Sequence, residues 1–254
     1  TKTRAAVAGL ATFADLTLDK AGMVYTLTAT ATNLASATST SFDVTPGAAA
    51  KLAFTVQPSA VVAGATMSPA VTVAVQDASG NLVTTASGTV TLALTVPGAA
   101  TLTGGTAATV TSGVATFGGL SVNKVGTYTL TPTTDVGGVT TLPASSSFVV
   151  SPGAAGTLAF TVQPSAVVAG VAVSPAVKVT VQDAAGNTVS SPASITVAIG
   201  TNPSGGTLSG PTTVSAIAGT ATFSSLSLDK MGTAYTLTAA APATSLTGAT
   251  SDPF

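Results

Sequence analysis

Apolar and polar residues alternate with a period of two over short runs along most of this chain. The clearest runs are Leu52, Phe54 and Val56; Val71, Val73 and Val75; Val90, Leu92, Leu94 and Val96; Leu120 and Val122; Tyr128 and Leu130; and Phe148 and Val150. Gly, Pro, Asn or Asp bounds each run, which is typical of half-buried strands. No stretch shows helical spacing over three turns. The pattern predicts an all-β chain of antiparallel two-sheet sandwiches, with about seven strands in about a hundred residues.

The same pattern occurs more than once. Residues 52–64 return almost unchanged as residues 158–170, and the same offset carries Val-Gln-Asp-Ala-Ser-Gly-Asn at 75–81 onto Val-Gln-Asp-Ala-Ala-Gly-Asn at 181–187. A period near a hundred residues is too long for a solenoid, whose repeats run roughly 20–50 residues. We therefore expect a tandem array of autonomous sandwiches, joined by the short Pro-Gly links at 45–50 and 151–156.

The repeat boundaries do not coincide with the first and last residues of the sequence. Residues 1–47 (repeat one) match only the rear part of a repeat, residues 48–153 (repeat two) are a complete repeat, and residues 154–254 (repeat three) are nearly complete. Two interpretations follow: a piece of a longer protein, or a subunit whose incomplete domain is completed by a neighbour. Either one predicts that Phe13, Tyr25 and Phe42 contact something outside repeat one, and the second predicts self-assembly into a filament.

A turn containing Asp or Asn, Lys and Gly precedes a Tyr in every repeat, at Tyr25, Tyr128 and Tyr235. This resembles the tyrosine corner of immunoglobulin-like domains, in which the ring packs and the hydroxyl reaches back to the backbone. Antibody domains place a Cys two residues later, whereas this chain has Leu27, Leu130 and Leu237. We therefore expect a disulfide-free aliphatic core, with Leu52/Leu158, Phe54/Phe160, Val73/Val179, Phe117/Phe223 and Leu130/Leu237 as buried pairs.

Together these motifs resemble the bacterial immunoglobulin-like tandem repeats of large surface and secreted proteins, including adhesins of the invasin type. The resemblance covers essentially the whole chain. It implies an extracellular or cell-surface structural protein that acts as a stalk, adhesin arm or surface fibre. The alternative is a subunit of a polymeric extracellular filament or sheath.

The amino-acid composition disfavours several classes of function. Only 6% of residues are charged, against about 25% in ordinary domains. The six Lys and one Arg are spread along the chain, which disfavours a nucleic-acid partner. With no His or Cys to act as base or nucleophile, we expect no enzyme activity, no catalytic residues and no cofactor. No apolar run is long enough to span a membrane.

Several candidate sites have simpler structural explanations. The loops 76–81 and 182–187 each offer one carboxylate, Asp77 or Asp183, whereas Ca²⁺ takes about six to eight oxygens. We expect hairpin turns there and no metal site. Asp15 and Asp19 are interpreted as solvated turn residues, and the three Tyr as core rather than sugar-stacking residues. Lys20, Lys124 and Lys230 are interpreted as exposed turn residues rather than partners in covalent cross-links.

A ligand-binding module is the remaining alternative function. Its site would lie in 97–113 or 200–218, where the repeats diverge most.

Overall fold

The computed structural model describes residues 2–95 and 98–254, and these residues form an all-β structure with no helix. Val96 and Pro97, each part of a sequence-based prediction, lie outside the described residues. In repeat one, β1 pairs with β4 and β2 with β3, both antiparallel. The bounds are β1 Gly22–Tyr25, β2 Thr28–Ala29, β3 Ala37–Thr38 and β4 Phe42–Val44.

Repeat two contains two three-stranded sheets, ordered β11-β7-β5 and β10-β8-β14, with a third sheet β13-β15-β6 and the pair β12-β9. Their inward side chains form one core that includes Leu52, Val73, Phe117 and Leu130. The bounds are β5 Lys51–Val56, β6 Val61–Val62, β7 Val71–Gln76, β8 Thr89–Leu94, β9 Leu102–Thr103, β10 Ala107–Thr109, β11 Val114–Phe117, β12 Ser121–Val122, β13 Gly126–Tyr128, β14 Leu130–Thr134 and β15 Phe148–Ser151.

Repeat three has the equivalent sheets β16-β17-β21 and β20-β18-β23-β24, with the pair β19-β22, around a core of its own. The register also repeats. Val73 pairs with Phe54 and Ala115, and Val179 pairs with their counterparts Phe160 and Ala221. The bounds are β16 Thr157–Val162, β17 Val177–Gln182, β18 Ser194–Ile199, β19 Leu208–Ser209, β20 Thr213–Ser215, β21 Thr220–Phe223, β22 Ser227–Leu228, β23 Leu237–Ala240 and β24 Ala249–Thr250.

Four of the five pairs predicted to be buried are buried, but Phe54 and Phe160 are only half-buried. Their strands, β5 and β16, lie at the edge of a three-stranded sheet. Each strand also has a register shift directly after the Phe, between Phe54 and Val56 and between Phe160 and Val162. Both Phe side chains still pack against the core of their repeat, but strict alternation assumes regular pairing and therefore predicted too much burial next to these irregularities.

Candidate functional site

The Tyr hydroxyl donates to the carbonyl of the preceding Lys in all three repeats. The Tyr128 hydroxyl donates to the carbonyl oxygens of Lys124 (3.1 Å) and Val125 (3.3 Å). Tyr25 donates to Lys20 and Tyr235 to Lys230, each at 3.2 Å. Each ring also lies beside a Phe, with centroids 6.2–6.3 Å apart. The Tyr therefore fixes the backbone of the Lys-containing turn that precedes it.

The turn of repeat two meets the Asp-x-x-Gly-Asn loop of repeat three, and we call this contact joint two. The Lys124 ammonium Nζ donates to the carbonyl of Ala185 at 2.8 Å. The Asn187 side chain is both a donor and an acceptor in this contact. Its Nδ2 donates to the Asn123 carbonyl at 3.0 Å, and its Oδ1 accepts from the Val125 N–H at 3.2 Å. The loop 182–187 of repeat three thus holds the turn of repeat two at Asn123, Lys124 and Val125.

Asp183 organises the loop side of joint two. Its Oδ1 accepts from the N–H groups of Ala185 and Asn187, both at 2.9 Å, and its Oδ2 accepts from the linker Gly153 N–H at 2.8 Å. Burial by itself raises the pKa of Asp183, but the hydrogen bonds from the Asn187 backbone and side chain and from Gly153 outweigh it, so its pKa lies below the ordinary value. One carboxylate therefore fixes the loop and the Pro-Gly link together.

Joint one, between repeats one and two, uses the same residue types in the same roles. Its hydrogen bonds are Lys20 Nζ to the Ser79 carbonyl (3.0 Å), Ala21 N–H to Asn81 Oδ1 (3.0 Å), Asn81 Nδ2 to the Asp19 carbonyl (2.8 Å) and Gly47 N–H to Asp77 Oδ2 (2.9 Å). Asn81 donates to Asp77 from its side chain and its backbone, and with the Gly47 N–H these bonds lower the pKa of Asp77 to about 2.

The sequence identified the parts of the joints but not their contact. The two loops do form tight turns, in which Gly80 and Gly186 have positive φ values of 84° and 72°. Lys20 is exposed as expected, but Lys124 is half-buried because it reaches into the next repeat. The signal that could have revealed the joints is that the Lys turn, the Pro-Gly link and the Asp-x-x-Gly-Asn loop recur together.

The remaining candidate residues also have structural explanations. Asp15 forms an ion pair with Arg4 at 2.9 Å, so it is not simply solvated, whereas the Asp19 carbonyl belongs to joint one. The rings of Tyr128 and Tyr235 are buried, which leaves no face for a sugar, whereas Tyr25, predicted to be a core residue as well, is only half-buried. Within residues 200–218, Asn202 exchanges two hydrogen bonds with Gly206. Within the described residues, no three acidic, His or Cys side chains cluster as a metal site, and no helix is long and apolar enough to cross a membrane.

Low pH is expected to reduce the stability that Asp77 gives to its Asp-x-x-Gly-Asn loop. A carboxyl group whose pKa is lower in the folded than in the unfolded state stabilises the fold above the unfolded value, and this contribution is lost as the pH falls through the folded value. For Asp77 that window runs from 3.8 down to about 2. The urea midpoint should therefore stay constant between neutral pH and about pH 5 and decline below about pH 4. Asp77→Asn should flatten the decline, because it removes the carboxyl group that titrates in this window.

No protein-family model matches this chain, and no curated protein matches its sequence. Among solved structures, the Escherichia coli adhesin FdeC aligns with 80% of this chain at 17% identity and a TM-score of 0.34. Domains 5–6 of the S-layer protein SbsC align with 80% of this chain at 19% identity and a TM-score of 0.26. A β-glucuronidase of Bacteroides uniformis aligns with 79% of this chain at 11% identity and a TM-score of 0.30. The chain spans 63% of the aligned FdeC chain and 24% of the β-glucuronidase. These values are too low to transfer a function.

Proposed function

We propose that this chain is a non-enzymatic structural array outside the cell, a stalk or adhesin arm in which immunoglobulin-like sandwiches are held end to end by metal-free joints. The observation that carries the proposal is the repetition of one set of contacts at both joints. Neighbouring domains in a chain move relative to each other by default unless their interface restrains them. Here a Lys, an Asn and an Asp restrain each short link with hydrogen bonds on both sides.

The residue types at the joints support a mechanical role rather than a binding role. Lys124 and Asn187 direct their polar atoms at backbone groups of the neighbouring repeat, and Asp183 directs its own at the link and at its own loop. The Lys124 ammonium group contacts the neighbouring repeat directly, and the proposal requires no bound metal. The division into domains 1–47, 48–153 and 154–254 is part of this proposal.

The test is the spread of distances between repeats. The chain has no Cys, so spin labels can be placed uniquely at Val149→Cys and Ile217→Cys, both exposed positions on either side of joint two. Electron–electron distance measurements should give one narrow distribution that EDTA leaves unchanged. Lys124→Met combined with Asn187→Ala should broaden it, whereas the control Lys178→Met, at an exposed position away from the joint, should not. A broad native distribution, or no broadening in the double variant, would contradict the proposal.

A second candidate function is a filament subunit completed by a neighbouring chain, and repeat one favours it. Phe13 is 39% exposed, whereas its counterpart Phe117 is 1% exposed. Leu16 and Leu27 are likewise exposed, and their counterparts Leu120 and Leu130 are fully buried. A Cβ on Gly113 would lie 2.6 Å from the Val83 carbonyl of the front half, whereas nothing lies within 4 Å of one on Gly9. The apolar face containing Phe13, Tyr25 and Phe42 is thus less covered than its counterparts, which supports the proposal that another chain packs on it.

Sedimentation of the full chain distinguishes this candidate. If repeat one is completed by another chain, association should increase with concentration, and Phe13→Asp with Leu16→Asp should abolish it. Both positions are exposed, so these changes need not unfold repeats two and three. Val149→Asp, which changes an exposed apolar residue of repeat two, is the control. A monomer at all concentrations would exclude the filament function and leave the array proposal intact.

A further inference from the structure

The basic residues of this chain are few, and they occupy two kinds of position. Of the seven Lys and Arg, Lys51 and Lys178 lie in strands β5 and β17, where sheet hydrogen bonds hold the backbone. Lys20 and Lys124 lie instead at bends in the surface turns of joints one and two. The Val125 side chain, directly after Lys124, is 44% exposed. The peptide bond after Lys124 is therefore at the surface, between β12 and β13.

A serine protease that cuts after Lys must reach three groups at this bond. The Lys ammonium enters an acidic pocket, the Lys carbonyl oxygen enters the oxyanion hole, and the nitrogen of the next residue takes a proton as it leaves. In joint two, Lys124 Nζ donates to the Ala185 carbonyl at 2.8 Å. The Lys124 carbonyl accepts from the Tyr128 hydroxyl at 3.1 Å, and the Val125 N–H donates to Asn187 Oδ1 at 3.2 Å. All three groups are thus occupied while the joint is closed.

Joint one occupies the same three groups at the bond after Lys20. Lys20 Nζ donates to the Ser79 carbonyl at 3.0 Å, and the Lys20 carbonyl accepts from the Tyr25 hydroxyl at 3.2 Å. The Ala21 N–H donates to Asn81 Oδ1 at 3.0 Å. In each joint the loop carbonyl and the Asn side chain belong to the following repeat, whereas the Tyr belongs to the same repeat as the Lys. Separation of the two repeats therefore frees the ammonium group and the N–H together.

We infer that the Lys turn of each joint is a latent cleavage site for an extracellular serine protease that cuts after Lys. The closed joint blocks the site, and a joint that has opened presents it. Cleavage of a folded protein follows local opening, and its rate tracks the open population when reclosing is fast. The protease thereby releases the part of the array beyond a joint that has separated. The inference rests on the proposed array function.

The reaction is ordinary peptide hydrolysis. The protease serine attacks the Lys124 carbonyl carbon, the bond to Val125 breaks, and the Val125 nitrogen leaves as an amine with the proton that the serine gave up. Water then hydrolyses the acyl-enzyme. The products are a fragment that ends in the carboxylate of Lys124 and a fragment that begins with Val125.

The first test is digestion of the full chain with trypsin, with initial rates measured for each cut by mass spectrometry. Every variant carries Lys230→Gln, because a cut after this exposed Lys would remove the end of repeat three. Asn187→Ala leaves the sequence around Lys124 unchanged and removes both Asn187 hydrogen bonds to that turn. Cleavage after Lys124 should become at least about fivefold faster, as expected when two neutral hydrogen bonds no longer oppose opening.

Two controls show whether this effect is confined to the joint. Asn81→Ala, the same change in joint one, should leave the rate after Lys124 as it is. The rate after Lys178 reports unfolding of repeat three, because Lys178 lies in β17, and Asn187→Ala should not change it. If the cut after Lys124 is no faster in Asn187→Ala, or if the native chain is cut there as fast as a peptide of residues 119–130, the joint does not block the site and the inference is overturned.

Tyr128→Phe is a second variant that leaves repeat three untouched, and it decides the case in which Asn187→Ala accelerates all cuts. It removes the hydroxyl that holds the Lys124 carbonyl. The cut after Lys124 should become faster, whereas the cut after Lys51, which reports unfolding of repeat two, should not. Equal acceleration of both cuts would overturn the inference, because unfolding of the repeat would then expose the bond.

The distance distribution across joint two separates this inference from the proposed function. A narrow native distribution together with an unprotected bond after Lys124 would overturn the inference and leave the array proposal intact. A broad native distribution would overturn both. A narrow distribution together with slow native cleavage and fast cleavage in Asn187→Ala is the expected result.

Discussion

Replacing Phe117 with alanine should lower the free energy of unfolding of repeat two by about 3–5 kcal/mol, the usual cost of removing a buried Phe ring. Phe117 ends β11, where it pairs with Val71 of the neighbouring strand β7. Its ring is among the largest fully buried side chains in the described part of the chain. Removing it leaves a cavity that β-sheet neighbours, tied by their hydrogen bonds, fill poorly. Urea unfolding followed by amide exchange within repeat two gives the measurement.

Phe13→Ala is the matched comparison, because Phe13 occupies the same position in repeat one. Its ring is substantially exposed, so its loss should cost under about 1 kcal/mol in the monomeric chain. A cost near that of Phe117→Ala would mean that repeat one is covered in solution, and it would favour completion by another chain. Equal, small costs at both positions would contradict the sandwich core itself.

Tyr128→Ala should destabilise repeat two by about 3–5 kcal/mol through the loss of the buried ring. Tyr128→Phe should cost only about 0.5–1.5 kcal/mol, because it keeps the packing against Phe148 and removes the hydrogen bonds to the turn. The midpoint of urea unfolding checks both values. An unchanged midpoint for Tyr128→Ala would exclude a structural role for this corner.

The two Tyr128 variants should also differ at joint two. The phenylalanine variant releases the Lys124 carbonyl while the rest of the repeat stays folded, so the distance distribution across the joint should broaden with little change in the midpoint. The same change at Tyr235 is the control, because the Lys230 turn makes no contact with either joint described here. Broadening by Tyr235→Phe would show that the effect is not specific to the joint.

Much of the fold could be predicted from local pattern. Alternation and the fixed offset were enough to predict that Phe117, Leu130 and their counterparts are buried, because these side chains face the core of their own repeat. The half-burial of Phe54 could not be predicted in this way, because the register shift directly after it leaves no mark in a two-residue period. The fixed repeat offset located both the equivalent strands and the equivalent turns, because corresponding segments of similar sequence form the same structure.

The joints were harder to predict for a different physical reason. Asn187 and Val125 are 62 positions apart and belong to different repeats. Their hydrogen bond is polar and leaves no apolar periodicity, and each residue also has a local explanation as part of a turn.

The chemistry of the joints sets how the array should respond to the water around it. Each ammonium group donates to a neutral carbonyl, and each Asn bridges backbone groups, so attraction between opposite full charges contributes little to the contact between repeats. Dissolved ions screen interactions between charges at the surface far more than short hydrogen bonds. We therefore expect the end-to-end length of the array to be the same in fresh, brackish and marine water, and in hard or soft water alike.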